Sequence, residues 1–385
     1  MDFSLVKDKD IITKGITLLT AFGISFANYA PIPVILLFLI GIVSWKTDKR
    51  ETRWNLTSII ILVFYFFSIL SSLSAELPIK EISRTTFEIR LPFLLFSLAF
   101  LFSNFTHASV GEMLKWFAIG AYSSALLIIF VYIWSLCFDF DNIPYTYLNM
   151  RLCFVSVTGL ILHRTYLCFN LLTAFIVVFQ HCLHKNTKRH LILFLSVTTF
   201  TGSFIFLSDA RISLLSFCIL ILLFSIIYLF KKVKRAYATL ISLSFIFISV
   251  YLLSLNARIH DLLVSFWSDN IDLVNLDPRF SIWHCANNIL VNNDLPLFGF
   301  GTGSSQKLLY SEFIKADFVS GVQGSFGMHN QYLETLIEYG YIGLVLLFLI
   351  CLSPLLNTGK NKLFFFFWTI LLLINLGFES MISRS

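Results

Sequence analysis

Charge is scarce in this chain: Asp, Glu, Lys and Arg make up 13% of its 385 residues, about half the share of an ordinary soluble domain. Its seven cysteines are scattered and odd in number, and no two form a CxxC pair, which argues against a disulfide framework or a zinc site. There is no HExxH, no ordered Ser-His-Asp set and no paired glutamates of a hydrolase, so zinc and triad chemistry lack support. No Gly-Lys-Ser/Thr follows a glycine stretch, which excludes a Walker loop. No internal repeat or inverted-repeat pattern of the transporter kind is visible.

What the chain holds in abundance is apolar bulk: 57% of residues are hydrophobic and 43 are Phe, with a mean hydropathy of +0.82. Apolar runs long enough to match the bilayer core fall near 11–29, 32–45, 54–75, 91–106, 112–136, 165–182, 191–208, 212–230, 236–256, 335–356 and 363–380. The expected fold is an all-α polytopic membrane protein of about eleven transmembrane helices, one membrane domain over residues 1–385. The first run is long and leads through Pro31 into the second, so it reads as a retained helix rather than a cleaved leader. The Phe-rich run Leu363 to Trp368 reads as lipid-facing bulk.

Basic residues set the orientation. With a cytoplasmic N-terminus, alternate short connections hold 17 of the 28 Lys and Arg, among them Lys46, Lys49, Arg50, Arg53, Lys231, Lys232, Lys234 and Arg235. That asymmetry is what the positive-inside rule requires. It explains the net charge of +6 without nucleic acid, which is not an expected partner. The long segment 257–334 then faces outward.

This segment and the helix after it carry most of the candidate chemistry. Asp277 and Pro278 form a helix start, with Asp as N-cap and Pro in the first turn, and Phe280, Trp283, Asn287 and Leu290 share one face. Arg279 therefore sits where the helix dipole already disfavours a cation, an arrangement suited to phosphate; a solvated surface Arg is the plain alternative. Asp209-Ala210-Arg211 interrupts an apolar run from Leu191 to Phe230, and a charge at membrane depth is by default a functional candidate. The alternative is that Arg211 merely caps a helix and pairs with Asp209.

His329 precedes a helix reading from Asn330 to Tyr339, with Leu333, Leu336 and Ile337 inward and Glu334 and Glu338 on another face. Imidazole is the side chain best suited to accept a proton near neutral pH, which makes His329 a candidate proton acceptor; an interfacial His is the plain alternative. The stretch Gly299-Phe300-Gly301-Thr302-Gly303 alone reads as a set of turns. His163-Arg164-Thr165-Tyr166 opens the sixth helix from the outside, so His163 and Tyr166, like Asn330 and Glu334, are candidates to line the same cavity. Asp139-Phe140-Asp141 has the DxD form of a metal-binding transferase motif, but two carboxylates at an apolar helix end read first as a solvated loop. No metal and no cofactor is expected.

Together, Arg211, Asp277-Pro278-Arg279-Phe280-Ser281-Ile282-Trp283, Pro296-Leu297-Phe298-Gly299-Phe300-Gly301-Thr302-Gly303, His329-Asn330-Gln331-Tyr332-Leu333-Glu334 and Glu338-Tyr339-Gly340-Tyr341-Ile342-Gly343 resemble the O-antigen ligase family, over about residues 190–345. The resemblance implies a GT-C-like, metal-independent, inverting glycosyltransferase in the bacterial inner membrane. It would move a glycan from undecaprenyl diphosphate to a lipid A–core hydroxyl on the periplasmic face. Arg211 and Arg279 would hold the donor diphosphate, and His329 would act as the catalytic residue. The family likeness also implies a twelfth helix, whereas the eleventh here ends outward at Ser383-Arg384-Ser385. An O-antigen polymerase using the same donor is the nearest alternative; a protein O-oligosaccharyltransferase or a lipid-linked glycan transporter stands further off. A transporter would place ionisable residues mid-membrane on several helices, and these helix interiors hold almost none.

Overall fold

The computed structural model describes residues 14–15, 17–26, 56–73, 107–138, 163–185, 187–232, 278–293, 297–301, 304–356 and 361–380, with isolated positions within 35–39, 91–98 and 154–158 and at 244. The longer elements are α1 (Leu56–Leu73), α2 (His107–Phe138), α3 (Arg164–Lys185), α4 (Lys188–Leu207), α5 (Arg211–Lys232), α6 (Pro278–Asn292), α7 (Ser304–Lys315), α8 (Val319–Gln323), α9 (Gln331–Leu352), a 3₁₀ turn at Ser353–Leu356 and α10 (Lys362–Leu376). Among the described residues five helices are long and apolar enough to cross a membrane: Leu56–Leu73, Val110–Leu136, Arg164–Leu183, Lys188–Leu207 and Gln331–Leu356. Arg211–Ile227 and Lys362–Leu376 are shorter apolar helices. These lengths and compositions are those of an integral membrane protein. The expected spans near 32–45, 91–106 and 236–256, the Asp139-Phe140-Asp141 motif and the Asp277 cap lie wholly or largely outside the described residues.

The chain divides into two compact units, each discontinuous in sequence. The first comprises Met1–Asn55, Leu95–Lys231 and Asn357–Leu371. Here α2 meets α3 through Ala118, Ala121 and Ala174, small residues that let two backbones approach closely where apolar burial gives no drive over lipid. At Gly120 a Cβ would lie 2.3 Å from the Phe22 carbonyl oxygen, so this position needs glycine. Phe179 and Phe224 stack with centroids 3.6 Å apart, and Phe367 meets Phe224 edge-on at 4.6 Å. This corrects the reading of the Phe-rich run as lipid-facing bulk. Helical spacing turns Phe364 and Phe367 inward while Phe366 stays exposed.

The second unit comprises Leu56–Leu94, Lys232–Leu356 and Leu372–Ser385. Its polar segment has a core of its own, in which Ile282, Cys285, Ala286 and Ile289 of α6 pack with Leu309 and Phe313 of α7, Met328, and Ile337 of α9. On α6, Trp283 and Leu290 of the shared face are partly buried against this core. Ser281, Ile282, Cys285, Ala286 and Ile289 are buried and Asn287 is exposed, because the small Cys285 and Ala286 admit close packing where Asn would bury an amide.

α9 contains one break. Gly340 has φ 65° and ψ −164°, so Tyr341 and Ile342 are displaced from their regular bonds to the carbonyls of Ile337 and Glu338. Phe300 N–H donates to the Ile337 carbonyl at 2.8 Å and Gly301 N–H to the Glu338 carbonyl at 2.9 Å. The Ser71 hydroxyl of α1 lies 2.7 Å from the Phe298 carbonyl and 3.0 Å from that of Glu338. Backbone acceptors released by the kink are thus satisfied by the glycine loop and a neighbouring helix. Gly299 and Gly301 have φ of 74° and 79°, and a Cβ on Gly299 would sit 2.4 Å from the Glu338 carbonyl. The two glycine motifs are therefore the two halves of one joint.

Candidate functional site

The site in the second unit is built around the start of α9. Asn330, in extended conformation, is its N-cap. The Asn330 Oδ1 accepts from the N–H groups of Tyr332 at 3.0 Å and Leu333 at 3.2 Å, satisfying two otherwise orphan donors. Asn330 thus holds the first turn of α9 in place. His329, just before the cap, has φ 48°, a left-handed conformation uncommon for His and characteristic of sites where surrounding structure holds a side chain in a fixed direction. The Trp283 indole N–H donates to the Met328 carbonyl at 3.1 Å, tying this turn to α6.

A third strand of the chain completes the site. Beyond α10, Phe378 and Glu379 turn back through bonds from their N–H groups to the Asn375 carbonyl. The Phe378 ring packs on Trp283 at 5.8 Å, and the Tyr332 hydroxyl donates to the Leu373 carbonyl at 2.7 Å. These contacts bury the Glu379 carboxylate to 5% exposure between two of the expected residues. Arg279 Nη2 donates to Glu379 Oε1 at 2.5 Å, and His329 Nδ1 lies 3.5 Å from Glu379 Oε2.

Arg279 and His329 are thus brought to one carboxylate. Arg279, in the first turn of α6, is 26% exposed, which replaces the solvated-surface alternative with a half-buried ion pair. His329, 17% exposed, also faces the Phe326 ring edge-on at 6.2 Å. Glu379 carried no motif. The one available signal was that it is the sole acidic residue after Glu338, at the outward end of an apolar run.

Glu334 and Glu338, expected on a face apart from the inward residues, are buried at 8% and 5% exposure. The reason is that α9 is enclosed on several sides: Ser305 of α7 donates to Glu338 Oε1 at 3.2 Å, and the glycine loop lies on the adjoining carbonyls. Cys285 is no nucleophile, since burial and then the nearby Glu312 carboxylate push its thiol pKa upward.

In the first unit Arg211 opens α5 and is half-buried. The preceding Asp209 has φ 54°, making the tight turn from α4. The carboxylate of Asp209 lies 3.9 Å from Arg164 Nη1, so Arg164, at the start of α3, joins the charged turn. His163 and Tyr166 contact each other with ring centroids 5.7 Å apart. No group of three or more His, Cys, Asp or Glu side chains is arranged to hold a metal among the described residues.

Residues 191–348 match the family model Wzy_C, O-antigen ligase. A protein of Haemophilus influenzae described as uncharacterized is 30% identical over 100 residues, covering 26% of this chain and 24% of that relative. The matched family region contains Arg211, Arg279 and His329, together with both halves of the glycine joint, and it stops short of Glu379. Over residues 191–348 this chain is similar to the O-antigen ligase family.

Proposed function

We propose that this protein is a metal-independent, inverting glycosyltransferase of the bacterial inner membrane. It transfers a glycan from undecaprenyl diphosphate to a lipid A–core hydroxyl on the periplasmic face, within a single membrane domain whose outer segment 257–334 carries the site. The observation that carries this reading is the meeting of Arg279 and His329, both within the region similar to this family, on the buried carboxylate of Glu379.

The chemistry asks little more. The acceptor oxygen attacks the anomeric carbon as the bond from that carbon to the diphosphate oxygen breaks, and the leaving group takes the electron pair. Arg279, with Arg211 as the second cation, offsets the charge that grows on the diphosphate. His329 accepts the proton of the attacking hydroxyl, a role that typically contributes about 10²–10⁴-fold. Glu379, on the Nδ1 side of the ring, favours the tautomer that presents Nε2 as the base.

A deletion strain tests it. The expected result is accumulation of lipid-linked glycan with bare lipid A–core. Single repeat units on the core would instead identify a polymerase, the activity that shares this family domain. Full-length glycan on the core would remove both.

A further inference from the structure

Glu379 is engaged asymmetrically. Its carboxylate is at full hydrogen-bonding distance from Arg279, 2.5 Å, and at the outer limit of one from His329, 3.5 Å. An ordinary N–H···O bond is about 2.9 Å long, so a shift of about 0.6 Å toward the ring would convert the second contact into a full hydrogen bond. The Arg279 guanidinium is held by an anion of the chain's own, in the first turn of a helix whose N-terminus favours anions. Trp283, Phe378 and the Asn375 turn fix the backbone that bears this anion.

We propose that Glu379 is a placeholder for the donor diphosphate and a positioning residue for His329. Without donor, its carboxylate neutralises Arg279; when a diphosphate takes Arg279, the carboxylate is left to His329 and orients the imidazole toward the acceptor. Proton acceptance is thereby coupled to donor occupancy, which protects the site from deprotonating water or acceptor before a glycan has arrived. The inference rests on the glycan-transfer reading and adds to it a residue outside the matched family region.

The device predicts a split that a purely structural role cannot give. In the full-length protein in detergent, Glu379→Gln removes the anion that competes for Arg279, so inorganic pyrophosphate should bind about fivefold more tightly, the scale of a half-buried charge pair. In the same variant, turnover with lipid-linked donor should fall about tenfold or more, because the ring loses its orienting charge. Unchanged or weaker pyrophosphate binding in Glu379→Gln would reduce Glu379 to scaffolding and overturn the proposal.

If Glu379→Gln does not accumulate in the membrane, Glu379→Asp decides. The shorter carboxylate still neutralises Arg279, so pyrophosphate affinity should stay within about twofold while turnover drops about fivefold or more. Parallel losses of both would overturn the proposal. A wild-type protein that binds pyrophosphate yet transfers no glycan sinks the functional reading alone, since the binding comparison still tests the placeholder. One that binds no pyrophosphate sinks the diphosphate site and the placeholder together.

Discussion

Arg279 and Glu379, 100 positions apart, form a 2.5 Å ion pair in which the carboxylate is almost fully enclosed. Burial makes this pair an ordering element, because removing Arg279 strands a carboxylate that is only 5% exposed. It also sets what each substitution at the site should do.

Arg279→Lys keeps the charge and loses the planar fork with which a guanidinium meets a diphosphate through two parallel hydrogen bonds. Transfer is expected to fall about tenfold or more, read as initial rate with lipid-linked donor. Arg211→Lys should likewise be impaired. Full activity in both variants would show that geometry is immaterial and leave only diffuse electrostatics.

The glycine joint gives a prediction about stability. Gly299→Ala places a Cβ 2.4 Å from the Glu338 carbonyl at a φ of 74°, so the loop must withdraw and the Ile337 and Glu338 carbonyls lose their donors. The expected cost is about 2 kcal/mol or more, seen as a lower unfolding temperature in detergent. A variant as stable as wild type would mean that the loop does not hold the kink.

Much of this architecture was legible because it is local. The helix start at Pro278, the turn before Arg211 and the helix following Asn330 follow from cap chemistry and apolar runs, and α1, α2, α3, α4 and the long part of α9 appear where about twenty apolar residues stand together. The buried face of α6 and the burial of Glu334 and Glu338 were not legible, because they depend on what packs around each helix. Glu379 was invisible for the same reason. Nothing near it in sequence marks it, and its partners are 100 and 50 positions away.

Topology is testable without activity. With the cytoplasmic N-terminus expected from the distribution of Lys and Arg, reporters at Ser268 or Ser320 should read periplasm and one at Lys232 cytoplasm. The reverse pattern would put the site on the wrong face of the membrane for a periplasmic acceptor.

Metal dependence turns on Asp139 and Asp141. If the DxD held a divalent ion, changing both to Asn should abolish turnover. The expected outcome is that Asp139→Asn/Asp141→Asn keeps most activity and that EDTA has little effect. Loss under EDTA restored by Mg²⁺ or Mn²⁺ would establish a metal-dependent transferase.

His329 is the residue on which the proposed chemistry depends most, and its backbone makes a clean test possible. At φ 48° Asn tolerates the left-handed region well, and the cap of α9 belongs to Asn330. His329→Asn therefore removes the imidazole with little disturbance to the fold, and His329→Ala, which keeps the Cβ that His already carries, removes it without a polar replacement. A proton acceptor acts in the chemical step, so turnover should fall about 10²-fold or more in both variants, with pyrophosphate binding close to wild type. If His329→Asn transfers glycan at the wild-type rate, the imidazole takes no proton, and activation of the acceptor passes to the leaving-group oxygens and the arginines.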